Sequence, residues 1–122
     1  MNSATASELV MRCFHARTEA HMFHLSTKSY AKHKALEEFY DSIVDLADSF
    51  AEAYQGTWGV LPLHEFSYEA SNSPEEMLDK LQVWISDNRG DIGRKADTFL
   101  QNLIDEIVAQ ISQTIYKLTT LS

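Results

Sequence analysis

The architecture of the chain follows from one run of residues, YAKHKALEEFYDSIVDLADSFAEAY, which spans positions 30–54. Its apolar residues recur in alternating steps of four and three, at Leu36, Tyr40, Ile43, Ala47, Phe50 and Tyr54. Residues spaced in this way form one continuous face of an α-helix. The run contains neither Gly nor Pro, and Gln55-Gly56 follows it directly, which predicts a helix over residues 30–55.

A preceding helix is predicted over residues 6–27, because apolar residues again recur there at helical spacing. They occupy two faces: Leu9, Cys13, Ala16, Ala20 and Phe23 form one, and Val10, Met11, Phe14, Met22 and Leu25 form the other. A helix that is apolar on two faces has two surfaces to cover. We therefore expect one face to pack in a bundle and the other against a second chain; a mobile lid or a deeply buried helix are the alternatives.

Two more helices are predicted in the second half of the chain. One covers residues 74–88 and begins with a capping signal, in which Ser73-Pro74 is followed by Glu76. The other covers residues 92–118 and carries apolar residues at helical spacing from Leu100 to Leu118.

The connections between these helices indicate the type of bundle. Only a few residues, from Ser26 to Ser29, separate the first two helices, so we expect an antiparallel hairpin. Residues 57–72 are apolar without helical periodicity, which predicts a long crossover between helices 2 and 3. The whole chain, residues 1–122, is predicted to be a single all-α domain, a four-helix bundle.

The composition excludes several classes of function. Ten basic against 18 acidic residues give a net charge of −8. An acidic surface repels phosphate groups, which argues against direct nucleic-acid binding. Cys13 has no second cysteine with which to form an internal disulfide, and no apolar run is long enough to cross a membrane. The N-terminus also lacks the pattern of a signal peptide, so we expect a cytoplasmic protein.

Candidate metal ligands are spaced along the predicted second helix. His33 and Glu37 are four residues apart, as are Asp48 and Glu52, so both side chains of each pair project from one face and can share a metal ion. At about 100° per residue, the four lie within a strip roughly 100° wide beside the apolar face. Folding of the hairpin brings His21 of the first helix to the height of His33.

The two pairs cannot bind one metal ion within a single chain. Glu37 and Asp48 are roughly 16 Å apart along the helix axis, at about 1.5 Å per residue. A second chain, related by a twofold axis, would place its Asp48 and Glu52 against the ligands of the first hairpin. We therefore expect a homo-oligomer, at least a twofold dimer, with two equivalent metal sites that are each shared across the interface.

The chain resembles the Dps-type mini-ferritins of the ferritin-like superfamily over residues 21–52, HMFHLSTKSYAKHKALEEFYDSIVDLADSFAE. The resemblance implies a ferritin-like four-helix bundle with a ferroxidase site shared between subunits. There, two iron(II) ions are bound and then oxidised by peroxide or oxygen. Such ligands suit iron or manganese, and zinc would compete. The ligand pattern of that family falls, without a gap, on His21, His33, Glu37, Asp48 and Glu52.

Several features depart from the pattern of that family. Met22 stands where an aromatic residue is usual, and Glu37 stands where Asp is commoner. Residues 57–72 lack the short helix that family members carry in the crossover, and residues 1–8 contain no Lys or Arg for a DNA-binding tail. These departures argue against a twelve-subunit cage and against mineral storage. The chain as a whole also resembles short ferritin-like proteins of tailed bacteriophages. This resemblance implies that the protein is located in the cytoplasm of a host cell.

Other interpretations stay open. The chain can be a non-enzymatic helical bundle, of phage origin, that binds an unidentified protein partner and retains a vestigial metal site. A structural zinc ion at the subunit interface is a third interpretation. Two further residues, Arg17 and His24, are predicted to contact the metal ligands and not the metal ion itself. His24 lies one turn from His21 and is an additional metal ligand in the alternative interpretation.

Overall fold

The computed structural model describes residues 3–121, which contain four α-helices and no strand. The prediction of an all-α, four-helix chain is confirmed. No helix among the described residues has both the length and the apolar character needed to cross a membrane. The helices are α1 (Ser3–Ser26), α2 (Tyr30–Trp58), α3 (Pro74–Ile92) and α4 (Thr98–Thr120).

The four helices pack as a square in which α1 contacts α2 and α3, and α4 contacts the same two helices. The short turn makes α1 and α2 antiparallel. Glu19 in the second half of α1 accepts a hydrogen bond from the backbone N–H of Ser71, just before α3 begins, so these two helices are antiparallel as well. Lys117 near the end of α4 pairs with Glu38 near the start of α2, which makes α2 and α4 antiparallel. It follows that α2 and α3 run in the same direction.

The α2–α3 connection, residues 59–73, returns along the length of the bundle because α2 and α3 are parallel. At one end of the bundle, Lys32 Nζ of α2 lies 3.1 Å from Glu75 Oε1 at the start of α3. At the other end, the guanidinium of Arg94, just after α3, lies 4.4 Å from the ring centroid of Trp58 at the end of α2. Leu61 is buried, so the connection is packed against the bundle at that residue.

Three helices extend beyond their predicted ends, and α4 does so by two residues, to Thr120. α2 continues through Gly56 to Trp58 and is capped by Gly59, whose φ of 105° lies in the left-handed region that glycine adopts without strain. α3 continues through Gly90 to Ile92, which is fully buried. A glycine inside a helix costs about 1 kcal/mol relative to alanine, and burial of a large apolar side chain offsets that cost.

The predicted cap at the start of α3 is confirmed, with one change. Ser73 Oγ accepts a hydrogen bond from the backbone N–H of Glu76 at 3.1 Å. The Glu76 carboxylate accepts in return from the N–H of Asn72 at 2.9 Å, one residue earlier than in a standard capping box. α4 begins later than predicted, at Thr98, because Arg94 donates its backbone N–H to the Asp97 carboxylate in a separate turn.

The first predicted face of α1 is buried in the bundle, and Cys13 on it is fully enclosed. Burial raises the pKa of the Cys13 thiol to about 12, so the residue is an inert small hydrophobe. On the second face, Met11 and Phe14 are half-buried and line a cavity of about 240 Å³ with Phe66 of the connection. Further along that face the side chains are exposed, and their contact with a second chain stays a prediction.

Candidate metal centre

Two histidines join the end of α1 to the start of α2. His24 Nδ1 lies 2.6 Å from the carbonyl oxygen of His33, and His33 Nδ1 lies 2.8 Å from the carbonyl oxygen of His24. The two rings are stacked, with centroids 3.6 Å apart. His24 lies in the last turn of α1, where backbone carbonyls lack partners within the helix. The His33 ring therefore caps the end of α1.

The hydrogen bonds of this pair determine its tautomer. A carbonyl oxygen can only accept, so each Nδ1 carries the hydrogen and donates it. Each neutral imidazole then keeps the lone pair on Nε2. Histidines that bind metals commonly donate their other ring N–H to a backbone carbonyl, which fixes the orientation of the ring. Both histidines thus have the tautomer and the hydrogen bonding of metal ligands.

Glu37 completes a cluster with the two histidines. One ligand atom from each of His24, His33 and Glu37 lies within 4.8 Å of the others, and these three form the one such group among the described residues. Glu37 Oε2 accepts from Lys34 Nζ at 3.1 Å. The Lys34 ammonium holds the pKa of the Glu37 carboxyl below its ordinary value. The carboxylate is therefore ionised near neutral pH and already faces a cation.

A bound ion would draw the three groups together. Zinc–ligand distances of about 2.0–2.2 Å put tetrahedral ligand atoms roughly 3.4 Å apart, closer than the present spread of up to 4.8 Å. The rings can turn about their hydrogen bonds, and Glu37 can exchange the Lys34 ammonium for the metal. Two imidazoles and one carboxylate with open positions are typical of non-haem iron(II), so the residues fit a divalent transition metal.

Comparison with known proteins shows the family to which the chain belongs. Residues 24–118 match DUF5856, a family of unknown function. The chain belongs to this family. The match begins at His24 and includes both other members of the cluster. The description of the family names neither a metal nor a reaction.

The DUF5856 protein is also similar to a phage protein. It is 32% identical over 104 residues to an uncharacterized 14.6 kDa protein in the mobD-ri intergenic region of Enterobacteria phage T4. The alignment covers 85% of this chain and 80% of the relative. No solved structure matches the chain. A relative in a phage agrees with the predicted similarity to phage proteins, whereas the Dps resemblance finds no support in these matches.

The DUF5856 protein brings together two of its five predicted ligands, His33 and Glu37. The third member of the cluster is His24, which was predicted to contact the metal ligands, with direct binding of the metal as the alternative. His21 is exposed, and its ring stacks on Tyr40 with centroids 4.4 Å apart. The spacing of His24 from His21 was the one sequence signal for it. That spacing could not show that His24 and His33 would exchange hydrogen bonds.

The other predicted residues lie outside the cluster. Asp48 and Glu52 are exposed on α2, and helix geometry puts Asp48 roughly 16 Å along the axis from Glu37. Their role in a site shared between two chains stays a prediction. Arg17 is exposed about two turns before His24 and lines the small cavity beside Phe66, and its support of the metal ligands stays a prediction.

A larger cavity, of about 340 Å³, lies between α1, α3 and the α2–α3 connection. Its cationic groups are already paired: Arg12 with Glu8 at 2.7 Å, and Lys80 with Glu76 at 2.9 Å. Glu19 at this cavity is almost wholly buried and accepts from the backbone N–H of Ser71. These groups stabilise one another, so the histidine cluster is the stronger candidate for a functional site.

Proposed function

We propose that this DUF5856 protein binds iron(II) at His24, His33 and Glu37 and oxidises it with peroxide or oxygen. The reciprocal hydrogen bonds of the two histidines carry the proposal. They hold both rings in the tautomer that leaves Nε2 free, in a cluster that also contains an ionised carboxylate. Manganese and zinc would compete for the same ligands.

Oxidation requires two iron(II) ions for each peroxide. Each ion loses one electron, and the peroxide takes up both electrons and two protons to form two water molecules. The three-residue cluster suits one ion, so a di-iron centre needs further carboxylates. Asp48 and Glu52 of a second copy are the proposed source, because both are exposed on α2 and distant from the cluster of their own chain.

The order of the helices supports a ferritin-like bundle as the fold of this centre. Two antiparallel hairpins, α1–α2 and α3–α4, are joined by one long connection between parallel helices. Ferritin-like bundles have one long crossover of this kind. We propose that pairing of two copies covers the exposed apolar side chains on α1, of which Met22 is 58% and Leu25 73% exposed.

A second candidate function is that of a non-enzymatic interaction protein. Met22, Leu25 and Tyr30 are large, apolar and exposed near the α1–α2 turn. Clustered exposed apolar side chains often mark a surface that binds another protein. Together with the T4 relative, this surface supports a phage-encoded protein that acts in the host cytoplasm. In that case the metal cluster would be structural or vestigial.

Anaerobic titration with iron(II), followed by peroxide, tests the first candidate. We expect saturable binding and then a rise in the near-ultraviolet absorbance of iron(III), faster than in buffer without protein. His33→Ala should remove both effects. His64→Ala, which changes an exposed histidine of the α2–α3 connection, is the matched control and should retain them.

The outcomes separate the parts of this proposal. Equal binding by the wild type and His33→Ala would contradict the site. Binding without accelerated oxidation would contradict the ferroxidase activity and favour the interaction protein.

A further inference from the structure

The Tyr40 side chain lies against the candidate metal cluster. Its ring is roughly perpendicular to that of His24, a member of the cluster, with ring centroids 5.3 Å apart. It also stacks on the ring of His21, with centroids 4.4 Å apart. Tyr40 follows Glu37 by three residues on α2, so both side chains project from the same side of that helix. Tyr40 is thus placed beside an imidazole and the carboxylate of the cluster.

The surroundings of Tyr40 keep its phenol protonated. Partial burial of the side chain, together with the nearby carboxylates of Glu37 and Asp41, raises the pKa of Tyr40 above its ordinary value. The oxidation of a protonated phenol releases an electron together with a proton. A peroxide that is being reduced to water takes up both.

The three-residue cluster by itself leaves the reduction of peroxide one electron short. It suits one iron(II) ion, which gives up one electron, whereas the conversion of peroxide to two water molecules takes two. Two tyrosines adjoin the cluster. The Tyr30 ring lies 6.2 Å from that of His33, but the residue is 75% exposed. Tyr40 is half-buried, so a radical on it is better shielded from solutes.

We infer that Tyr40 supplies the second electron. This inference rests on the proposed binding and oxidation of iron(II) at His24, His33 and Glu37. Iron(II) becomes iron(III), Tyr40 loses its phenolic hydrogen as an electron and a proton, and the O–O bond of the peroxide breaks. With one further proton from solvent, two water molecules form.

A second iron(II) ion then restores Tyr40. It gives one electron to the tyrosyl radical, which takes one proton from solvent and becomes the phenol again. Two iron(II) ions are therefore oxidised for each peroxide, but they react one after the other. Such a site works with one bound ion at a time and needs no ligand from a second copy of the chain.

Rapid freeze-quenching followed by electron paramagnetic resonance tests this role of Tyr40. The protein is loaded anaerobically with one iron(II) per chain and mixed with one equivalent of hydrogen peroxide. For the wild type we expect iron(III) together with an organic radical, in amounts that approach one radical per iron(III). Incorporation of ring-deuterated tyrosine should narrow the radical signal, which identifies it as a tyrosyl radical.

Two conservative variants locate the radical. Tyr40→Phe retains the ring that packs on the histidines and should form iron(III) without the radical. Tyr54→Phe is the matched control, because Tyr54 lies on the same helix, roughly 21 Å from Tyr40 at about 1.5 Å per residue. It should keep the radical of the wild type. Circular dichroism confirms that each variant is folded.

The outcomes separate this inference from the proposed function. A radical that persists in Tyr40→Phe would overturn the inference, and so would iron(III) formation by the wild type without any radical. In both cases the proposed oxidation of iron(II) stands. Failure of the wild type to bind or oxidise iron(II) would overturn both.

Discussion

The two helical hairpins of this protein end in turns with different chemistry. At the α3–α4 turn Arg94 and Asp97 are paired, because the Arg94 guanidinium lies 3.3 Å from the Asp97 carboxylate and also packs on Trp58. At the α1–α2 turn, His24 and His33 hold the helices together through one nitrogen each. At the α3–α4 turn the charged groups of Arg94 and Asp97 bind each other. At the α1–α2 turn each histidine ring keeps one nitrogen free. Spare ligand capacity distinguishes a candidate site from a structural turn.

The largest expected effect is on metal binding at the α1–α2 turn. Removal of one ligand, by His24→Ala or His33→Ala, should weaken zinc binding by more than about 100-fold. Arg94→Ala at the other turn should leave the affinity unchanged, because Arg94 lies at the opposite end of the bundle. Isothermal titration calorimetry measures all three constants. A similar loss in Arg94→Ala would remove the distinction between the turns.

Metal binding should also stabilise the folded chain. Zinc at about 100 times its dissociation constant adds about 2.7 kcal/mol to the free energy of unfolding, provided that the unfolded chain does not bind it. Urea unfolding with and without zinc measures this difference, and excess chelator should reverse it. His33→Ala should show no gain. A gain that persists in His33→Ala would place the bound zinc elsewhere.

The α3–α4 turn should respond to pH and not to metal. Arg94 lowers the pKa of the Asp97 carboxyl, so the ionised form is favoured in the folded chain. The stabilisation is therefore fully present above the unfolded pKa of about 3.9 and is lost as the pH falls through the folded value. Asp97→Asn should lower the melting temperature by roughly 5 °C at neutral pH and by less in acid.

Thermal unfolding at several pH values tests this expectation, with Asp91→Asn as the control because Asp91 is exposed. An equal loss for Asp97→Asn at neutral and acidic pH would show that the charge of Asp97 does not matter.

The smallest expected effect concerns Lys34, which competes with a metal for Glu37. Lys34→Met removes a nearby positive charge and should raise zinc affinity about threefold, since exposed ion pairs contribute less than about 1 kcal/mol. The gain should shrink at high salt. Lys28→Met, a nearby exposed lysine outside the cluster, is the control. Weaker binding by Lys34→Met would show that Lys34 positions the carboxylate.

The periodicity of the sequence predicted most of the fold. Leu36, Ile43 and Phe50 are buried as the spacing on α2 required, and Ser73 caps α3. The helix ends were harder to predict, because Gly56 and Gly90 are local signals for termination. Burial of Ile92 outweighs the signal at Gly90, and Trp58, which follows Gly56, instead contacts the Arg94 guanidinium.

The candidate site was predicted in part. The four-residue spacing of His33 and Glu37 is sufficient to place both on one face of a helix. The choice between His21 and His24 depends on where α1 ends and on how its last turn meets α2. Those details arise from packing across the hairpin, which no local pattern encodes.

Sequence alone determined that this chain is helical, that its second helix has one apolar face, and that His33 and Glu37 share a strip beside that face. These properties depend on spacing along a helix, which is a local quantity. Only the tertiary structure decided that His24 joins them, that the His21 ring stacks on Tyr40, and that the Arg94 guanidinium packs on Trp58. These contacts join residues of different elements, and their geometry exists only after the helices have packed.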